Sequence, residues 1–129
     1  MRSGKSEKAR ILLVDDDGPI RSSLRIFFEA EGYEFLGVGS AERGLEEVGR
    51  QHYDVIIADY RLPGMDGLEV LKIFKKMVPE MPVIMLTGHG SEQAAQEGIA
   101  SGAADYLTKP YDLEELIEKI REVCTPETD

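Results

Sequence analysis

Three short, unbroken apolar runs constrain this chain more than any other feature: Ile11-Leu12-Leu13-Val14, Val55-Ile56-Ile57-Ala58 and Val83-Ile84-Met85-Leu86. Half-exposed strands alternate apolar and polar residues, whereas strands covered on both faces read as continuous apolar segments. Two weaker segments, Glu34-Phe35-Leu36-Gly37-Val38 and Ala104-Asp105-Tyr106-Leu107, are short and mixed in polarity, which suits sheet edges. Helical stripes fill the gaps. Ile20, Leu24, Phe27 and Phe28 repeat at helical spacing behind Pro19, with Gly32 as a stop. Ala41, Leu45 and Val48 follow Ser40 as N-cap, and Val70, Leu71, Phe74, Met77 and Val78 end before Pro79. Asp112 and Glu115 form a capping-box pattern ahead of Leu113, Leu116, Ile117, Ile120 and Val123. A fourth helix, about residues 91 to 100, has only Ala94, Ala95 and Ile99 as an apolar face, with Gly98 inside it. Such a helix is held by little burial. The order strand, helix, five times over predicts an α/β fold with a parallel sheet covered on both faces.

The 129 residues suit a single domain, ordered over 10–124 between polar tails at 1–9 and 125–129. With 15 Lys and Arg against 25 Asp and Glu, the formal net charge is −10, which disfavours direct binding of nucleic acid or an anionic membrane surface. No apolar run reaches the roughly 18–20 residues of a membrane span, and no apolar segment follows the charged start to make a signal peptide. The lone cysteine, Cys124, cannot pair internally, which fits a reducing cytoplasm.

Ligands of open parallel sheets bind beyond the carboxyl ends of the strands, where strand order reverses. The residues at those ends are Asp15-Asp16-Asp17, Asp59, Thr87 and Lys109-Pro110. Carboxylates converging from adjacent strands either raise a pKa or bind a cation. An all-oxygen set without a His or Cys cluster points to a hard ion, and Mg²⁺ fits best because it favours one or two carboxylates with water and phosphate. A cation, an ammonium and a hydroxyl around one carboxylate make a trap for a phosphoryl group, and the carboxylate can itself be the nucleophile. The structural reading of Asp17 is a helix cap.

The set Val14-Asp15-Asp16, Asp59 with Pro63-Gly64-Met65-Asp66-Gly67, Leu86-Thr87-Gly88-His89 and Tyr106-Leu107-Thr108-Lys109-Pro110 resembles the receiver domain of bacterial response regulators. The resemblance implies a flavodoxin-like, doubly wound five-stranded sheet of order 2-1-3-4-5 with five helices on both faces. It implies that Asp59 takes a phosphoryl group from the phosphohistidine of a sensor histidine kinase or phosphotransfer protein. Asp15, Asp16, Asp59 and the backbone carbonyl of Arg61 would hold Mg²⁺. Thr87 and Lys109 would engage the phosphoryl group, Tyr106 would turn with the switch, and Arg61 and His89 would tune phosphoryl lifetime. Lys109-Pro110 is often cis in this family. Output would pass through the face of the fourth helix, fifth strand and fifth helix to an output domain, a downstream protein or a second copy in a phosphorylation-dependent homodimer. The domain would be a switch that catalyses only its own phosphorylation and dephosphorylation, not an enzyme. The sequence is compatible with both a stand-alone receiver and one attached to an output domain.

Two other functions share part of the pattern. A small Mg²⁺-dependent phosphatase with an aspartyl nucleophile would want a second Asp two residues on, where Arg61 stands. A receiver-like docking module that is not phosphorylated typically loses one or more of the five key residues, and here Asp15, Asp16, Asp59, Thr87 and Lys109 are all present. Gly4-Lys5-Ser6 lacks the glycine spacing of a phosphate loop, and Gly37-Val38-Gly39 lacks the third glycine of a dinucleotide fingerprint. His52 and His89 have no cysteine companions for zinc.

Overall fold

The computed structural model describes residues 9–62, 64–88 and 92–124; the expected tails, apart from Ala9, and His89 lie outside them. The chain runs β1 (Arg10–Val14), α1 (Gly18–Ala30), β2 (Glu34–Val38), α2 (Ala41–Arg50), β3 (Val55–Asp59), β4 (Arg61–Leu62), β5 (Met65–Asp66), α3 (Gly67–Met77), β6 (Val83–Thr87), α4 (Glu92–Ala100), β7 (Asp105–Thr108) and α5 (Leu113–Val123). All pairings in the main sheet are parallel, in the order β2-β1-β3-β6-β7. This is the expected 2-1-3-4-5 order once β4 and β5 are set apart. Those two strands form a separate antiparallel ribbon, which the sequence reading did not include. Among the described residues no helix is long and apolar enough to cross a membrane.

The apolar runs divide by parity, because successive strand residues point to opposite faces. Leu12, Val14, Ile56, Ala58, Val83 and Met85 join Ala41 of α2 and Val70, Leu71 and Phe74 of α3 in one core. Ile11, Leu13, Val55, Ile57, Ile84 and Leu86 join Leu24 and Phe28 of α1 and Leu116, Ile117 and Ile120 of α5 in the other. Each fully buried aliphatic or aromatic side chain contributes about 1.5–3 kcal/mol, so the central strands anchor both layers at once.

Local chemistry fixes the helix starts. The Asp17 carboxylate accepts from Ile20 N–H at 3.1 Å, so this third acid is the cap of α1. Ser40 caps α2 through Arg43 N–H, and Asp66 caps α3 through Leu68 N–H. Glu115 accepts from Asp112 N–H at 3.3 Å, as the capping-box pattern predicts. Gly67 is required for space, since a Cβ there would fall onto the backbone of Tyr60.

Three expected stripes are rotated or shortened. Met77 ends α3 at 45% exposure, and Leu113 at the start of α5 is 38% exposed. In α4 the buried positions are Ala95 and Gly98, while Ile99 is 43% exposed. Gly98 lies over Met85, where a Cβ would stand 3.6 Å from Met85 Cγ, so the helix seats its smallest residue on the sheet.

Candidate functional site

Strand register assembles the site as a staircase. Val14 pairs with Ala58, so Asp15 and Asp59 emerge side by side. Asp59 pairs with Leu86, placing Thr87 one step on, and Thr87 pairs with Thr108, placing Lys109 next. Between β1 and β3 the strand order reverses, because the chain goes from β1 out to β2 and then back across it. That reversal parts the crossing segments and leaves the crevice in which the staircase ends.

Asp15 is fully buried and Asp59 is 8% exposed, whereas Asp16 is exposed. One carboxylate oxygen of each lies within 4.8 Å of the others. Asp59 Oδ1 accepts from Arg61 N–H at 3.0 Å, and its Oδ2 accepts from Lys109 Nζ at 2.7 Å. Asp15 Oδ1 accepts from Asp17 N–H at 3.0 Å. Among the described residues its Oδ2 has no hydrogen-bond donor, and it sits 3.7 Å from Lys109 Nζ, an ion pair too long to be a hydrogen bond. Burial pushes the Asp15 carboxyl up, and the Asp59 and Asp16 charges add to this against the Asp17 N–H and Lys109. Burial alone would lower Lys109, but the hydrogen bond and charges of Asp59 and Asp15 leave it raised.

Thr87 is 1% exposed, and its hydroxyl has no hydrogen-bond partner among the described residues. Its carbonyl accepts from Lys109 N–H at 2.8 Å, tying the lysine to the threonine strand. The Lys109-Pro110 bond is cis, as the resemblance implied. Tyr106 lies 37% exposed on edge strand β7, beside an Asp105–Lys119 ion pair of 3.0 Å that joins β7 to α5. Arg61, whose N–H meets Asp59, is exposed. Tyr111 is half-buried, with its hydroxyl raised first by burial and also by the Asp15 and Asp59 charges against Lys109.

Two buried polar atoms without partners among the described residues bracket Asp59: an acceptor on Asp15 that a cation would satisfy, and a hydroxyl on Thr87 that an acceptor oxygen would satisfy. Buried polar groups are rarely left orphaned without a functional reason. With three carboxylates converging and no imidazole or thiolate among them, the donor set fits a hard divalent ion such as Mg²⁺. One residue near the site escaped sequence reasoning. Arg21 of α1 donates from Nη1 to the Asp15 carbonyl at 2.9 Å.

Fold and site together define the class: a doubly wound α/β domain with an acidic pocket at its switch point. The family model of the response regulator receiver domain matches residues 11–121, and the chain belongs to that family. It is 37% identical over 112 residues to the response regulator protein FleR of Pseudomonas aeruginosa, covering 87% of this chain and 24% of that one. The chain spans about a quarter to a half of the curated relatives it matches. A response regulator receiver domain protein from Clostridium thermocellum superposes with a TM-score of 0.86 at 34% identity, covering 91% of this chain and 94% of that one. The beryllofluoride-activated receiver domain dimer of NtrC4 superposes with a TM-score of 0.83 at 32% identity, covering 88% and 94%. The chain is thus the receiver domain of a two-component response regulator, a signalling switch.

Proposed function

We propose that Asp59 is the phosphoacceptor of this receiver. The observation that carries the reading is the surroundings of one carboxylate: Lys109 Nζ at 2.7 Å, two further carboxylates within 4.8 Å and an unpartnered Thr87 hydroxyl. An Asp59 oxygen attacks the phosphorus of a kinase phosphohistidine or of a small acyl phosphate. The new oxygen–phosphorus bond forms as the bond to the leaving group breaks, and that bond's electron pair leaves with the departing nitrogen or oxygen. Lys109 balances charge on the phosphoryl oxygens and Thr87 donates to one of them, so the chain contributes mainly position and electrostatics. Asp15, Asp16, Asp59 and the Arg61 carbonyl are the groups that would hold Mg²⁺, which when bound supplies further positive charge to those oxygens.

The phosphoryl group brings roughly −1.5 to −2 charge into the pocket. Movement of Thr87 toward it would be relayed to the β7 edge and Tyr106, altering the face of α4, β7 and α5 that meets an output domain, a downstream protein or a second copy. The beryllofluoride-activated dimer of the NtrC4 receiver supports this direction of response. Relatives such as FleR extend well beyond the matched stretch, which supports a receiver working with an output domain. Arg61 and His89 are the positions proposed to set phosphoryl lifetime, within a domain spanning 10–124 between its tails.

Incubation with acetyl phosphate and Mg²⁺ should add the mass of one phosphoryl group, and Asp59→Asn should abolish that gain. Its persistence in the variant would refute the assignment. Steady turnover of small phosphate esters would favour the phosphatase instead, and failure to bind beryllofluoride with Mg²⁺ would favour the docking module.

A further inference from the structure

Gly37 and Gly39 are left over from any phosphate-binding motif, yet both have a neighbour in common. A Cβ on Gly37 would meet the Arg21 stem at 3.2 Å from its Cβ and 3.3 Å from its Cδ. A Cβ on Gly39 would stand 3.1 Å from Arg21 Nη1. Neither glycine has a positive φ, so space and not backbone freedom explains them. The two bare positions, Gly37 on β2 and Gly39 just past its end, form a slot along which the arginine lies, stem on Gly37 and head by Gly39. From there Nη1 donates to the Asp15 carbonyl at 2.9 Å. The same loop is tied from the other side, since Asp15 N–H donates to the Val38 carbonyl at 3.0 Å.

We propose that Arg21, laid in the Gly37–Gly39 slot, is a positioning residue that braces the 15–17 loop and so aims the Asp15 and Asp16 carboxylates at a shared cation. The peptide between Asp15 and Asp16 is held at its oxygen by the Arg21 guanidinium. Holding that peptide fixes where Asp16 leaves the chain and keeps Asp17 N–H on Asp15 Oδ1, the 3.0 Å bond that turns Oδ2 toward Lys109. Outer partners that orient metal ligands commonly govern affinity by about 10–100-fold. The inference rests on the phosphoacceptor reading only for the cation; the brace itself is a property of the loop and its arginine.

The experiment compares Arg21→Met, Arg21→Lys and Gly37→Ala with the wild type, following backbone amides by NMR with and without Mg²⁺. In metal-free protein, Asp17 amide exchange should quicken in Arg21→Met and Gly37→Ala, with partial recovery in Arg21→Lys. Mg²⁺ affinity should fall about tenfold in Arg21→Met. The Arg21→Met, Gly37→Ala double variant should lose no more than the worse single one, because both act on one contact. A purely structural clamp between α1 and β2 would lower the melting temperature without moving Asp17 exchange or Mg²⁺ affinity, and that result would overturn the proposal. A wild type that binds no Mg²⁺ would sink the phosphoacceptor reading, while Asp17 exchange would still decide the brace.

Discussion

Replacing Asp15 by Asn should stabilise the metal-free domain while removing its response to Mg²⁺. Asp15 and Asp59 place oxygens within 4.8 Å, which at an effective dielectric near 20 repel by about 3–4 kcal/mol. The Lys109 ammonium, 3.7 Å from Asp15 Oδ2, attracts by about 4–5 kcal/mol on the same scale. These nearly cancel, so the balance rests on the fully buried Oδ2 that no donor satisfies. An orphaned buried polar atom costs about 1–3 kcal/mol. Asn keeps an acceptor for Asp17 N–H, loses the charge and can turn its amide toward Asp59. For a chain of this size the gain corresponds to a rise of about 4–12 °C in Tm. The pH dependence is fixed by sign. The folded Asp15 pKa lies above 3.8, so just above pH 3.8 the native state holds its proton more tightly than the unfolded chain. Wild-type stability therefore falls as pH rises from 3.8 through the raised folded value, and the variant's advantage vanishes below pH 3.8. Thermal melts in EDTA at pH 7, in EDTA at acid pH and with millimolar Mg²⁺ measure all three. A variant melting below wild type in EDTA at pH 7, or gaining as much from Mg²⁺ as wild type does, would refute the reasoning.

Lys109→Met should act in the opposite direction, stranding Asp59 and Asp15. Because the lysine is 31% exposed, roughly half of the about 3–5 kcal/mol for a fully buried pair is expected in urea unfolding. Its raised pKa means the stabilisation is whole below pH 10.5 and fades only as pH climbs through the folded value, so the gap between the two proteins should be flat from pH 7 to 10. Gly44→Ala sets a Cβ 2.9 Å from Val14 Cγ2 and 3.2 Å from Phe74 Cζ. Overpacking of about 1–3 kcal/mol should exceed the helical gain of about 0.5–1 kcal/mol, a net loss of about 1 kcal/mol in denaturant melts. Burial and then the Asp54 charge push the Cys124 thiol up to about 11. At pH 8, iodoacetamide should alkylate the native protein about a hundredfold more slowly than the unfolded chain; equal rates would contradict that burial.

The three apolar runs made the sheet legible because their residues serve two cores at once, and only a strand covered on both faces needs that. The site was legible for a related reason: a parallel sheet gathers whatever follows its strands, so Asp15, Asp59, Thr87 and Lys109 could be read as neighbours before any distance was known. What escaped depends on pairing across the chain. Arg21 becomes informative only when β1 and β2 lie side by side, since its slot lies on and just past one strand and its acceptor follows the other. The β4–β5 ribbon escaped because two residues per strand carry no periodicity. The seating of α4 escaped because hydropathy ranks Ile99 above Gly98, while the contact with Met85 rewards the smaller residue.

That seating gives the molecule an uneven stability. The central strands are wedged between two cores, but α4 commits only Ala95 and Gly98 to the interior and ends against Gly102 in the left-handed region at φ 112°. Elements with so little interior surface open at a small fraction of the global unfolding free energy. In hydrogen exchange α4 should form its own early-opening unit, losing protection long before β1, β3 and β6. A domain so divided can let one helix detach, shift and reseat while the framework holding the acidic pocket stays folded.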